Sequence, residues 1–388
     1  GTYEDGGVAV EDGPLNRIAV TNAITVRGAG GAGETIIRGA GPVGETAVRC
    51  AFVGDGARLE GFTLTGGHTR DAATGSGNQL LGGGAYCRPS AILADCVLTG
   101  NAAHTAGGGV YGGTVQGCAV SDNSAGSGGG AAAGTLVDCM LSGNSAVNGG
   151  GAYQGTLTSC TLSGNFAISG GGAYQALVQD STLSGNSAVN GGGTALGTIR
   201  GCALTGNAAT DGGGAFGGLV DGCRLGANVA TRGGGMAFGT LRNSRIQGNS
   251  ADQGGGANQV TLEGCTVTGN TALQRGGGTY RGAVTGSIVY YNAAGSAGAN
   301  GFESTFAYSC TAPDPGGGDG NISAAPFFAG GSAEDVHLQA GSPCIDAGTN
   351  LSWMAGANDL DGNPRIQNLR VDMGCYERKD ADGDGIDD

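Results

Sequence analysis

The chain has 388 residues, and 87 of them are glycine, against a usual share of about 7 per cent. Glycine at that density excludes an ordinary helix-rich globular domain, while an apolar share of 39 per cent, strictly spaced, argues against disorder. Thirty-two acidic residues face 18 basic ones, of which only Lys379 is a lysine, so no cationic footprint exists for nucleic acid or an anionic membrane.

No apolar run reaches the roughly 18 residues of a membrane-spanning helix. The chain opens at Gly1 on a polar stretch without a basic n-region, so any signal peptide is expected to have been removed. Residues 1–95 carry short β-rich runs at 23–26, 35–37, 47–53 and 59–64, parted by glycine turns, and read as an N-terminal cap with irregular first coils. Residues 28–33 fit G-x-G-x-x-G, but a strand-like Thr35-Ile36-Ile37 follows in place of a helix, so the dinucleotide-binding reading fails in its context.

Residues 96–292 are a repeat. Asn123, Asn144, Asn165, Asn186, Asn207, Asn228, Asn249 and Asn270 recur every 21 residues, and Asn101 and Asn292 extend the series at 22. Triple glycines at 82–84, 107–109, 128–130 and on to 276–278 keep the same phase. One unit, residues 156–176, reads T-L-T-S-C-T-L-S-G-N-F-A-I-S-G-G-G-A-Y-Q-A, which has no helical periodicity and a glycine cluster that would break a helix. A unit too short to bury a face alone must stack on its copies, with neighbours bonded at about 4.8 Å per coil. The expected fold is therefore all-β, a right-handed parallel β-helix of about ten regular coils capped at both ends.

Stacking predicts ladders. Cys118, Cys139, Cys160, Cys202 and Cys223, with Cys96, Cys265 and serines at 181, 244 and 287, stand five residues before each Asn. An aliphatic ladder, for example Leu141, Leu162 and Leu183, follows two residues later, which places both on the inner face of one strand. The Asn series suits tight turns, because its side chain tolerates left-handed backbone and its amide bonds the equivalent amide one coil away. The triple glycines are expected to supply positive φ at the next corner. No C-x-x-C pair or Cys/His cluster marks a zinc site, and the ladder cysteines read as buried free thiols. Cys310, Cys344 and Cys375 lie outside the ladder, where a bridge between two of them is expected in an exported protein.

Tyr86, Tyr111, Tyr153, Tyr174, Phe216 and Tyr280 fall just past the triple glycines, and strand alternation points them outward. Tyr111, Tyr153, Tyr174 and Phe216 are therefore candidate glycan-stacking residues, although stacked rings also simply cover strand edges. Arg224, Arg232, Arg242 and Arg245 cluster over two coils, within reach of Asp221 or Asp252, while His68 and His104 are isolated.

Residues 293–377 change character at Pro313, Pro315 and the glycines 316–318. Four motifs follow in order: N-I-S-A-A-P-F-F at 321–328, V-H-L-Q-A-G-S-P-C-I-D-A-G at 336–348, D-L-D-G-N-P-R at 359–365 and V-D-M-G-C-Y-E at 371–377. Together they resemble the choice-of-anchor Q module of bacterial surface proteins, which follows parallel β-helix repeats and precedes an envelope sorting signal. The resemblance implies export, display on the cell surface, and attachment to the cell envelope through a sorting region beyond this chain. It supplies no activity. Cys375 departs from the small residue expected at its place, which fits a disulfide with Cys344. Asp359, Asp361 and Asn363 read as a turn with local side-chain hydrogen bonds.

Residues 378–388 form an acidic tail. Asp380, Asp382, Asp384 and Asp388, with Gly385 after the third, give carboxylates at positions 1, 3, 5 and 9, a pattern able to wrap one hard cation. The tail resembles calcium-binding acidic repeats of thrombospondin type 3 or dockerin kind, so Ca2+ is the expected cofactor; the bland reading is a solvated tail.

The sequence thus supports a secreted or cell-surface structural, adhesin-like rod with no evident catalytic residue. The alternative is a polysaccharide-active lyase or hydrolase, or a glycan-binding β-helix; other surface proteins are further candidate partners. Capped ends favour a monomer, and uncapped ends would allow head-to-tail assembly.

Overall fold

The computed structural model describes residues 1–10, 13–330, 335–367 and 369–378. The chain divides into two compact units, Gly1–Gly197 and Thr198–Asp388. Both are wound as parallel β-solenoid. In the first, the coil 156–176 forms four short strands, Thr156–Thr158, Thr161–Ser163, Phe166–Ser169 and Ala173–Tyr174. Each pairs in parallel with its counterpart one coil on, as in Thr161↔Thr182, Leu162↔Leu183 and Ser163↔Ser184. In the second, Leu219–Asp221, Arg224–Gly226, Val229–Arg232 and Met236–Ala237 repeat the scheme. The only helical turns among the described residues are the 3-10 segments Gly77–Leu80 and Ser352–Met354, and no helix is long and apolar enough to cross a membrane.

Strand alternation sends the middle residue of each three-residue strand inward: Leu157 and Leu162 are fully buried, as are Val220 and Leu241 in the second unit. Each such side chain contributes about 1.5–3 kcal/mol of burial. The ladder cysteines are buried free thiols, and their sulfur has a second task. Cys96 N–H donates to Cys118 Sγ at 3.3 Å, and Cys160 N–H donates to Ser181 Oγ at 2.9 Å. The position therefore needs a small side chain with an acceptor, which is why cysteine and serine exchange there. In the first coils, burial pushes the Cys50 and Cys87 thiols up to about 12.

The Asn ladder is continuous within each unit. Asn144 Nδ2 donates to Asn165 Oδ1 at 3.0 Å and to Val120 O at 2.8 Å, and the same Asn165 oxygen accepts the Asn144 backbone N–H at 3.0 Å. The left-handed residue is not the Asn but the one before it: Asp122, Gly143, Gly164 and Ala227 have φ of 56, 63, 63 and 53°. The asparagines are selected for the amide bonds, and the turn strain falls on their neighbours. The triple glycines differ from expectation in the same way. Only the first of each takes positive φ, as at Gly149 (64°). The other two are required by close backbone approach, since a Cβ on Gly150 or Gly151 would sit 2.4 Å from Phe166 O or 2.6 Å from Gly172 O.

In the second unit the chain after Thr311 folds back onto its own coils. Gly374 N–H donates to Gly286 O at 2.9 Å, Cys375 N–H to Thr266 Oγ1 at 3.2 Å, and Asn243 Nδ2 to Asn358 O at 2.7 Å. Ile288, Cys310, Phe328, Val336, Cys344 and Met373 share one apolar cluster. All three cysteines here are free, with no bond between Cys344 and Cys375. The Cys344 thiol lies against Cys310, whereas Cys375 is drawn to Thr266 by the bonds that seat residues 374 and 375 on the coils.

Arg365, fully buried, donates to Gly374 O at 2.8 Å and faces Glu377 at 3.2 Å. Burial pushes the Glu377 carboxyl up to about 9, against the pull of Arg365. Asp359 Oδ1 accepts the N–H groups of Asp361 and Asn363, and its Oδ2 accepts Glu377 N–H at 2.9 Å.

Two outcomes follow from these contacts. Asn165→Ala removes the acceptor of the Asn144 N–H and the donor to Leu141 O inside a buried corner, and is expected to lower unfolding free energy by about 3–5 kcal/mol in denaturant titrations. Ser163→Ala, on the outer face, is expected to change it by about 0.5 kcal/mol or less. For Glu377 the folded-state value lies above the ordinary 4.5. Its contribution is therefore complete below about pH 4.5 and is lost as pH rises towards about 9. Thermal melts of Glu377→Gln should lose that decline; parallel decline in both proteins would show that Glu377 is ionised and paired.

Candidate binding groove

The groove is built from one ladder position of the second unit. Arg200, Asp221, Arg242 and Glu263 are register neighbours on successive coils, each just past an inward-facing Ile199, Val220, Leu241 or Leu262. Alternation turns them outward, and their signs alternate down the ladder. Arg242 Nε donates to Glu263 Oε2 at 2.8 Å. Asp221 is partly buried, and that burial raises its pKa, with Arg200 and Arg242 opposing and Glu263 adding to the shift.

The corner after this ladder is Gly201, Gly222, Asn243 and Gly264. Small corners leave room for the returning C-terminal segment: a Cβ on Gly264 would sit 3.1 Å from Met354 Cε and 3.3 Å from an Arg365 nitrogen. Where Gly201 and Gly222 continue the corner, a groove of about 490 Å³ stays open. Its walls are Arg200, Asp221 and Arg224 from the coils, and Trp353, Asn358 and Leu360 from the docked segment. The Arg242 guanidinium lies over the Trp353 ring at 5.8 Å and orients it. The groove thus combines an indole wall, guanidinium donors, a carboxylate acceptor and an amide, the set that a polyhydroxylated ring engages through its apolar face and its hydroxyls.

The residues singled out in the sequence fall elsewhere. Tyr111 stacks on Tyr86 with centroids 5.6 Å apart, Tyr153 on Tyr174 at 5.8 Å, and Phe216 meets Phe238 edge-on at 5.3 Å. Tyr86 is buried, the other rings are half-buried, and each stacked ring spends at least one face on a neighbour. Ala132, between Tyr111 and Tyr153 on the ladder, is only 2 % exposed, and beside it a second groove of about 490 Å³ is lined by Tyr86, Arg88, Tyr111, Ala133 and Gly134, with no indole and no carboxylate. The Asn and Cys ladders face inward. Of the arginines, Arg232 is held by Asp211 at 2.6 Å and Arg242 by Glu263, while Arg224 reaches the groove. Asp380, Asp382, Asp384 and Asp388 lie outside the described residues. Trp353 was the residue that ladder reasoning passed over; its signal is that it is the chain's single tryptophan.

No family model matches the chain, and no curated protein matches it. Among solved structures, pectate lyase Pel9A is 14 % identical with a TM-score of 0.39, over 85 % of this chain and 88 % of that one. The A-module of the Azotobacter vinelandii mannuronan C-5 epimerase AlgE4 is also 14 % identical, with a TM-score of 0.34, over 83 % and 84 %. Both likenesses concern the coiled winding of the chain, and neither carries an argument about activity.

Proposed function

We propose that this protein is a glycan-binding β-solenoid of adhesin-like kind, with its saccharide site in the groove under Trp353. The observation that carries the reading is the groove itself, where an oriented indole faces Arg200, Asp221 and Arg224 across glycine corners. Export and display at the cell surface, with attachment to the envelope beyond this chain, belong to the same proposal and rest on the motif order of residues 321–377. Binding of Ca2+ by the tail at Asp380, Asp382, Asp384 and Asp388 rests on its spacing.

A second reading, a polysaccharide lyase or hydrolase, is favoured by one feature. Asp221 stands in the groove with its pKa raised by burial, the direction that suits a proton donor near neutral pH.

A glycan array combined with a polysaccharide-degradation screen, run with calcium and with chelator, separates the readings. Trp353→Ala is expected to weaken binding by about tenfold or more, and Arg224→Ala to weaken it as well, whereas Tyr153→Ala with Tyr174→Ala leaves it unchanged. Loss of binding in the tyrosine pair with Trp353→Ala unaffected would move the site to the aromatic ladder. New reducing or unsaturated ends that vanish in Asp221→Asn would establish the enzyme.

A further inference from the structure

Beside the groove a single imidazole is held between two carboxylates. His337 Nε2 meets Asp361 Oδ2 at 2.7 Å, and its Nδ1 meets Asp335. The ring packs on Tyr376 with centroids 4.1 Å apart, and the Tyr376 hydroxyl contacts Arg224, which lines the groove. On the other side, Asp361 N–H donates to Asp359 Oδ1 at 2.9 Å, and Asp359 and Leu360 belong to the groove wall. His337 is therefore one contact from the wall at 358–360 and two from the Arg224 guanidinium.

A neutral imidazole has one N–H and one lone pair, so it satisfies only one of two carboxylates and turns a lone pair on the other. The imidazolium donates to both. The charged groups that face this cluster are Asp335 and Asp361 at the ring and Arg245 and Arg224 behind Asp335 and Tyr376. Burial alone would lower the pKa of His337, but its hydrogen bonds to Asp335 and Asp361 outweigh it, and the net shift is upward from 6.5. The side chain is 43 % exposed, so protons exchange freely with solvent.

We propose that His337 is a pH-operated latch on the groove: protonated, it ties residue 335 to the 359–361 turn and holds the wall against Trp353, and its deprotonation frees one carboxylate and loosens the wall. As regulation of ligand binding the proposal rests on the groove reading above; as a conformational device it stands on these residues alone. The bracket is complete while the ring is charged and is lost as pH rises through its folded-state value.

Trp353 is the only tryptophan, so its fluorescence reports the wall without any ligand. The other two histidines, His68 and His104, lie in the first unit. A titration of the ligand-free protein from about pH 5.5 to 8.5, made on the Glu377→Gln background to remove the other group of this segment that titrates there, is expected to show one reversible Trp353 transition, its midpoint above the ordinary histidine value. His337→Gln should abolish it. Asp335→Asn keeps the imidazole and removes one carboxylate, and should move the midpoint to lower pH. Circular dichroism at pH 6 establishes that each variant is folded, and the Asp335→Asn shift alone decides the matter if His337→Gln is not. A flat titration with His337 and Asp335 intact, or a transition unchanged in either variant, would overturn the latch. Binding of an array-selected glycan, measured over the same range, should weaken along the same curve. A fluorescence transition with no glycan bound at any pH would sink the groove reading and leave the latch, and pH-independent glycan binding would keep the groove and overturn the latch as its regulator.

Discussion

The asparagine amide ladder is the constraint on which the rest depends. Each amide uses both of its hydrogens and its oxygen on neighbouring coils, so a coil that did not bring its Asn over the next one would leave buried donors and acceptors unmet. Register is thereby fixed at the corner: the 22-residue coils keep the same amide bonds and take their extra residue in the longer strands Ala102–Ala106 and Thr271–Arg275. The strands are only two to five residues long through the regular coils, too short to set their own register. Glycines at the next corner follow from the same stacking, because equivalent backbones approach too closely for a Cβ.

A register held from the inside releases the outside. Position 200 and its equivalents hold Arg, Asp, Arg and Glu on successive coils, while the inward Ile199, Val220, Leu241 and Leu262 all stay aliphatic and buried. Chemistry can therefore be written on an outer ladder while the core stays uniform. It becomes a site only where something closes over it. In the second unit that something is the returning C-terminal segment, which reaches the ladder because the intervening corner is glycine or asparagine.

The periodic part of the fold was legible because each inward position repeats its chemistry: Leu141, Leu162 and Leu183, or Cys139 and Cys160, declare strand, face and stacking together. Which residue of a corner bears the left-handed backbone was not legible, since Asn tolerates that conformation better than most non-glycine residues and only the amide geometry decides. The aromatic positions were found, but alternation fixes only the side of the sheet and not whether rings on adjacent coils cover one another. The groove was hidden for a different reason. It depends on contacts such as Asn243 to Asn358, 115 residues apart, between a periodic and an aperiodic segment, and no spacing rule connects them.

The distribution of titratable groups separates the two parts of the second unit in another way. Inside the coils the ionisable side chains are chiefly thiols, and burial keeps them protonated: Cys223 is pushed well above its ordinary value and Cys265 is raised as well. The coils have little inside them to titrate between about pH 5 and 8. The docked segment does: Glu377, buried against Arg365, and His337, bracketed by Asp335 and Asp361, both favour the protonated form. Their linkage has the same sign, so both weaken the seating of this segment as pH rises, while the amide ladder beneath is indifferent. A solenoid whose register contains almost no charge can carry a pH-responsive attachment without putting its own fold at risk, and that attachment is the element that closes the groove.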